Sequence, residues 1–275
     1  MINALSFDIE DWFQVENLKS KISFHEWDLH ELRVVENTEK ILSILEAANT
    51  KATFFVLGWI AEKCPDLVRE IHHQGHEVAS HGYSHQLVYD MTEKTFYEDI
   101  QRSKSFLEDA IKTKIFGYRA PSFSITKDSL WALDLLKRAG FLYDSSIFPV
   151  RFHDRYGYTD CKEYPFLWPN GLLEIPLAVY KIGNFPLPLA GGGYFRLLPY
   201  QYFKYFLNQI NGLNKRFTFY LHPWELDNGQ PRVKIPFNYR FRHYVNLKYT
   251  EKNLNILLKD FKFERIMIAH QLENI

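Results

Sequence analysis

The sequence predicts an α/β domain of about seven βα units, arranged as a distorted or incomplete (β/α)7 barrel. Three observations carry this. Short apolar runs alternate with segments of helical period along most of the 275 residues. Five of those runs are followed at once by an acid, histidine or arginine, the side where parallel α/β sheets place their chemistry. The alternation breaks between Phe148 and Ala190, a proline-rich stretch without helical period that reads as an excursion of loops and hairpins.

Ala4–Phe7 is a buried strand ending on Asp8. Ile41, Leu42, Ile44, Leu45 and Ala48 recur at helical spacing, so Thr38–Ala48 is a helix, and ATFFVL over Ala52–Leu57 is the second strand. Ile60–His73 reads as one helix stopped by Gly75, and His76–Ser80 as the third strand. Thr92, with Glu93 in the first turn and Thr95 three residues on, opens a long amphipathic helix to about Lys112. A strand near Ile115–Tyr118, a helix Lys127–Ala139 stopped by Gly140 and a strand Leu142–Asp144 follow. Within the excursion the one clear strand is Leu172–Leu177. Regularity returns with a helix around Tyr200–Ile210, a strand Phe217–Leu221, a helix Glu251–Phe261 and a strand near Phe263–Ala269. Residues 223–249 read as an irregular surface segment, and the whole chain as one domain.

Composition narrows the function. Lys and Arg total 33 against 33 Asp and Glu, and this neutrality argues against a chain that lives on nucleic acid or an anionic bilayer. Two cysteines, Cys64 and Cys161, make no disulfide framework. The start shows no basic segment followed by an apolar run, and no window approaches the roughly 18 apolar residues of a membrane span, so a soluble cytoplasmic protein is expected. Aromatic residues at 17% suit either a heavy core or a sugar-stacking surface.

The strand-end residues are the informative ones. Asp8, Glu10 and Asp11 follow the first strand; three acids so close repel one another unless a cation or arginine is near. His81 and His85 follow the third strand at i, i+4, which on a helical turn sets two imidazoles on one side to grip a metal ion. An HxxxH pair alone is a weak signal, but a first-strand carboxylate completes a His₂–carboxylate set for hydrolysis. Arg119 precedes Pro121 after an apolar strand, and an arginine fork beside a carboxylate base locks its orientation. Locally His222 reads as a packed strand-end residue. Asp144, another strand-end acid, raises its standing by holding it as an imidazolium ready to protonate a leaving amine.

Assembled in order, these segments resemble the NodB-type polysaccharide deacetylases, carbohydrate esterases that remove N-acetyl groups from amino sugars. SFDIED resembles the first motif, SHGYSH the metal-binding one, YRAPS the arginine motif, YDSS the aspartate motif and FYLH the terminal histidine motif. The stretches AGGGYFRLLPY, HPWELDNGQPR and FRHYVNL are similar to a bacterial subgroup found with exopolysaccharide gene clusters, which places a subgroup-specific part at about 190–275. The resemblance departs in two places: the family's adjacent Asp-Asp is spread over Asp8, Glu10 and Asp11, and Ser122 stands where Tyr or Phe is usual.

What the resemblance implies is amide hydrolysis on an N-acetylated glycan or sugar intermediate, with one divalent metal ion, Zn²⁺ ahead of Co²⁺, Ni²⁺ or Mn²⁺. His81, His85 and either Glu10 or Asp11 would hold the metal; Asp8 would be the base, oriented by Arg119. The Ser122 N–H would face the oxyanion, and His222 with Asp144 would supply the acid. Tyr118, Gly192 and Trp224 are candidates for the sugar-binding wall. The rival readings are a hydrolase of a small cyclic amide and an inactive carbohydrate-binding protein on the same scaffold.

Overall fold

A computed structural model describes residues 1–150 and 155–272. Its main sheet begins with β1 (Ile2–Ile9), followed by α1 (Val34–Ala47), β2 (Thr53–Val56), α2 (Gly58–Lys63), α3 (Pro65–His73) and β3 (Glu77–Ser80). Next come α4 (Glu93–Ile111), β4 (Gly117–Tyr118), α5 (Ala132–Arg138) and β5 (Tyr143–Asp144). The excursion holds β6 (Phe166–Leu167), β7 (Leu173–Glu174) and a hairpin of β8 (Val179–Ile182) and β9 (Phe185–Pro188). The chain closes with α6 (Gly192–Leu197), α7 (Tyr200–Gly212), β10 (Thr218–Leu221), α8 (Phe237–Tyr244), α9 (Thr250–Asp260), β11 (Lys262–Glu264) and α10 (Ile266–Ala269).

The strand order is β10-β1-β2-β3-β4-β5-β7-β6, with β11 also on β1, and every pairing is parallel except β6 with β7. The sheet curls into a half-barrel. Past β7 the chain returns to β10, where the Ala178 N–H donates to the Thr218 carbonyl at 3.2 Å. This is the distorted, incomplete barrel that the βα rhythm predicts.

Two-residue periodicity divides the core into layers. Leu5, Phe7, Ile9, Phe54 and Val56 belong to the large apolar cluster, which also takes in Ile41 and Leu45 of α1 and Phe96 and Ile100 of α4. Ala4, Phe55, Ala79, Tyr143 and Ile175 form a smaller second cluster on the opposite face of the sheet. Ser6 and Asp8 share the parity of Ala4, so β1 sends these two residues to the inner face, whereas Asn3 has the parity of Leu5.

Several boundaries differ from the sequence reading, each for a local reason. The expected helix Ile60–His73 is two helices, because Pro65 lacks an N–H and starts α3 at its first position. Lys127–Ala139 is a 3₁₀ turn, Lys127–Ser129, followed by the shorter α5. The expected strand Leu172–Leu177 narrows to the two residues of β7, and Phe263–Ala269 is a short strand followed by α10. Residues 223–249, expected to be irregular, contain α8. By contrast Thr92 caps α4 as anticipated, accepting the Thr95 N–H at 3.2 Å.

Candidate active site

Three donors meet at the C-terminal end of the sheet. Glu10 Oε1 lies 3.1 Å from His81 Nε2 and 3.0 Å from His85 Nε2, and all three side chains are buried. Their ligand atoms lie within 4.8 Å of one another. The two histidines stand on a loop rather than the helical turn that i, i+4 spacing suggested: Gly82 (φ 72°) and His85 (φ 52°) adopt left-handed backbone and fold the segment back on itself. Asp99 of α4 pins that loop, accepting the N–H of Tyr83 at 2.7 Å and the hydroxyl of Ser84 at 3.0 Å.

The cluster fits a metal ion. His81 Nδ1 lies 2.8 Å from the Arg119 carbonyl, and donating its proton there turns the Nε2 lone pair of the neutral ring toward Glu10. An imidazole lone pair facing a carboxylate oxygen at 3.1 Å needs a cation or proton between them. A tetrahedral ion at about 2.1 Å from each donor would hold the donors about 3.4 Å apart, close to the spacing seen. Burial alone would raise the Glu10 carboxyl, but the charges of His85 and His222 and the two histidine hydrogen bonds hold it well below the usual carboxylate range.

Asp11 has a different task. Its Oδ2 accepts the backbone N–H of Arg33 (2.7 Å) and Val34 (2.9 Å) at the start of α1, and its Oδ1 accepts the Trp12 N–H (2.7 Å). Burial raises this carboxyl to about 6 against the pull of those three donors. Of the two first-strand candidates left open by sequence, only Glu10 joins the cluster.

Asp8 sits beside the cluster with its Oδ1 2.6 Å from Arg119 Nη1. Arg119 is fully buried and further fixed by the Ser6 hydroxyl (2.9 Å), the Ser145 carbonyl (3.1 Å) and the Ser145 hydroxyl (3.0 Å). Its guanidinium lies 4.0 Å from the centre of the Phe55 ring. Across from Asp8, His222 Nε2 is 4.0 Å from Asp8 Oδ2 and 3.7 Å from Glu10 Oε1.

The expected pairing of His222 with Asp144 does not form. Asp144 stands in register with Tyr118 and with Glu174, and its Oδ1 accepts the Ser146 hydroxyl at 2.5 Å. Tyr118 packs beneath the helices, against Phe96 and Phe141, so this parity carries Asp144 away from the inner face that Asp8 and Arg119 share. The Ser146 hydroxyl in turn accepts the Ala120 N–H at 2.7 Å, so Asp144 braces the segment that carries Arg119 and Ser122. The same parity corrects Tyr118, which is core and does not line the cleft.

The carboxylate on His222 is Glu225. Its Oε1 lies 2.7 Å from His222 Nδ1 and 3.1 Å from the His222 backbone N–H, while its Oε2 accepts Nε–H of Arg196 at 2.9 Å. Sequence reading missed both residues. The available signal was HPWE, in which a carboxylate three residues after a strand-end histidine can reach back to it as in a capping box. Burial pulls the His222 imidazolium down, and the carboxylates of Glu10, Glu225 and Asp8 more than offset this, holding it at about 9.

Gly192, expected on the sugar wall, instead backs this carboxylate. A Cβ there would fall 1.6 Å from Glu225 Oε2, so the position admits no side chain. In protein stripped of metal, Glu225→Gln should therefore lower the His222 pKa, because it removes an adjacent negative charge. Gly192→Ala should shift it the same way by displacing the carboxylate. Ring-carbon NMR titration reads both, and a His222 pKa unchanged in both variants would dismiss the pairing.

The cleft above these groups has a volume of about 390 Å³, with Asp8, Glu10, His85, Ser122 and His222 at its base and Phe123, Tyr194, Tyr220 and Trp224 along its walls. Ser122 reaches it with φ at 50°, a left-handed conformation uncommon for a residue with a side chain. Trp224 is both wall and core: its ring is 5% exposed, stacked 5.2 Å from His222 on one side and 4.4 Å from His243 on the other. A second cleft of about 510 Å³, lined by Phe24, Trp27, Tyr83 and Arg102 among others, meets the first at Glu16 and His85.

Comparison with known proteins agrees with the motif order. Residues 21–142 match the family model described as polysaccharide deacetylase, and residues 145–270 match a domain of unknown function, DUF3473. The site draws on both: His81, His85 and Arg119 from the first, His222 and Glu225 from the second, with Asp8 and Glu10 ahead of either. A peptidoglycan-N-acetylglucosamine deacetylase of Bacillus cereus is 38% identical over 89 residues, 32% of this chain and 30% of the relative. The chain spans 30–39% of the length of the first curated relatives that it matches. Among solved structures, a Mycobacterium smegmatis chain assigned to the polysaccharide deacetylases is 20% identical with a TM-score of 0.63, covering 98% of this chain and 89% of that one. An allantoinase is 15% identical with a TM-score of 0.62, covering 98% and 88%. At these identities the structural likeness speaks for the fold.

Proposed function

The chain belongs to the NodB-type polysaccharide deacetylases, carrying a DUF3473 region after the deacetylase region, and on that premise we propose that it hydrolyses the acetamide of an N-acetylated sugar during bacterial polysaccharide biosynthesis, with a divalent metal as cofactor. One observation carries the reading. A carboxylate fixed by an arginine and an imidazole fixed by a carboxylate face each other at 4.0 Å beside a three-donor cluster. This is the constellation that amide hydrolysis requires: a base, an acid and an electrophile around one small space.

Glu10, His81 and His85 would hold the ion, Zn²⁺ first among the candidates because two imidazoles and one carboxylate leave it an open position. When bound, it supplies Lewis-acid polarisation of the amide and easier deprotonation of water. Asp8 accepts the proton of the attacking water; its Oδ1 is held by Arg119, which fixes the orientation of the carboxylate. The Ser122 backbone N–H is the proposed donor to the oxyanion. His222, kept cationic by Glu225, gives its proton to the sugar nitrogen as the C–N bond breaks, leaving acetate and a free amine. Arg196 and Asp144 are positioning residues, the first through Glu225 and the second through Ser146 and Ala120.

The two adjoining clefts favour a glycan over a small cyclic amide. Together they offer aromatic surface on both sides of His85, more than one small ring would fill. The test is acetate release from N-acetylglucosamine oligomers by chelator-treated protein, before and after adding Zn²⁺, Co²⁺, Ni²⁺ or Mn²⁺. Metal-dependent release is the expected result. Hydrolysis of allantoin with no acetate released would move the chain to cyclic amides, and inactivity on both would leave a binding protein.

A further inference from the structure

The neutral total charge conceals a strongly polarised segment. Residues 231–250 contain five cations, Arg232, Lys234, Arg240, Arg242 and Lys248, and no acid. Among the described residues, Arg232, Lys234, Arg240 and Lys248 have no carboxylate within 4.0 Å. The same segment exposes apolar rings. Phe237 is 74% exposed and Phe241, one turn further along α8, is 46% exposed, with their ring planes 25° apart and centroids at 6.2 Å. Both rings border one surface hollow together with Arg232, Lys234 and Arg240.

The C-terminal end of α8 is tied to the core. Arg196 donates to the carbonyls of Arg242 and His243 at 3.1 Å and to that of Val245 at 2.5 Å, fastening the end of α8. His243 is buried on Trp224, with Nε2 2.7 Å from the Gln230 side-chain oxygen. Two phenyl rings held in water amid cations without a carboxylate partner are costly unless a second surface covers them. At a lipid surface both features are satisfied at once, the rings among acyl chains and the cations on phosphates. A nucleic acid would satisfy the cations, but it offers no apolar phase to take up both exposed rings.

We propose that α8 and its flanks form a peripheral docking surface for an anionic lipid bilayer, with Phe237 and Phe241 inserted and Arg232, Lys234, Arg240 and Lys248 on the headgroups. Arg242, at the end of the same helix, borders the cleft above Asp8 and His222, so docking sets the mouth of the site beside the membrane. The inference does not depend on the hydrolytic reading, since binding is measured without turnover.

The experiment is co-sedimentation of the full chain with vesicles of phosphatidylcholine alone or mixed with phosphatidylglycerol. Binding to the mixed vesicles only, weakening with salt, is expected. The double variants Phe237→Ser with Phe241→Ser and Lys234→Glu with Arg240→Glu should each weaken it about tenfold or more, with Tm unchanged. Equal binding to both vesicle types, no binding, or undiminished binding by variants that keep their Tm would overturn the proposal. Tighter retention on single-stranded DNA than on the mixed vesicles would transfer the surface to nucleic acid.

Discussion

Asp8→Asn should keep stoichiometric metal and lose about 10²–10⁴ in kcat, the usual cost of removing one general base. Asparagine preserves the shape of the side chain and an oxygen for Arg119, but it cannot take a proton from water. Asp8 is outside the three-donor cluster, so the metal has no direct reason to leave. The change is not silent for the fold. Arg119 is fully buried, and stripping its counter-charge costs about 3–5 kcal/mol, offset in part by Ser6 and both oxygens of Ser145. Tm should therefore fall as well, and both metal content and kcat are to be read per folded molecule. Metal lost along with turnover would make Asp8 a ligand. A kcat within tenfold of the parent would remove it from the reaction.

Strand identity and strand-end chemistry were legible because both rest on short-range pattern. A run such as ATFFVL has one way to be buried on both faces, and parallel connections deliver the following residue to one end of the sheet. Asp8, Arg119, His81, His85 and His222 are found together for that reason. Parity was harder to read. Asp144 ends a strand beside the others, but one step along a strand reverses a side chain, and only the register with Tyr118 and Glu174 shows that it faces the helices.

Glu225 illustrates the opposite limit. It lies on a 3₁₀ turn after β10, where no periodicity marks it, and its importance depends on a glycine and an arginine some thirty residues upstream. The HxxxH spacing was misread in a related way. It promises a helix, but two left-handed residues achieve the same meeting of imidazoles on a loop. In α8 the apolar side chains that stay in water break the rule by which amphipathic helices are recognised, so the segment read as irregular.

The division of labour between Glu10 and Asp11 admits a sharper separation than sequence could offer. Glu10→Gln should weaken metal binding by more than about 100-fold, beyond the 10–100-fold typical of removing a residue that only supports a ligand. The charge removed is the one that two imidazoles face at 3.0 and 3.1 Å, and glutamine's amide cannot replace it. Asp11→Ala should do the reverse, leaving metal and kcat intact well below Tm while destabilising the fold by about 1–3 kcal/mol. That variant strands the N–H groups of Trp12, Arg33 and Val34, two of them at the start of α1, where no preceding helical turn can accept them. Metal content after dialysis and a thermal melt on each variant decide the matter. If Asp11→Ala sheds the metal while Glu10→Gln retains it, the ligand is Asp11, and its three backbone contacts must open for the ion to enter. If both shed it with no change in Tm, the two carboxylates share the ion and the helix start is held by something other than Asp11.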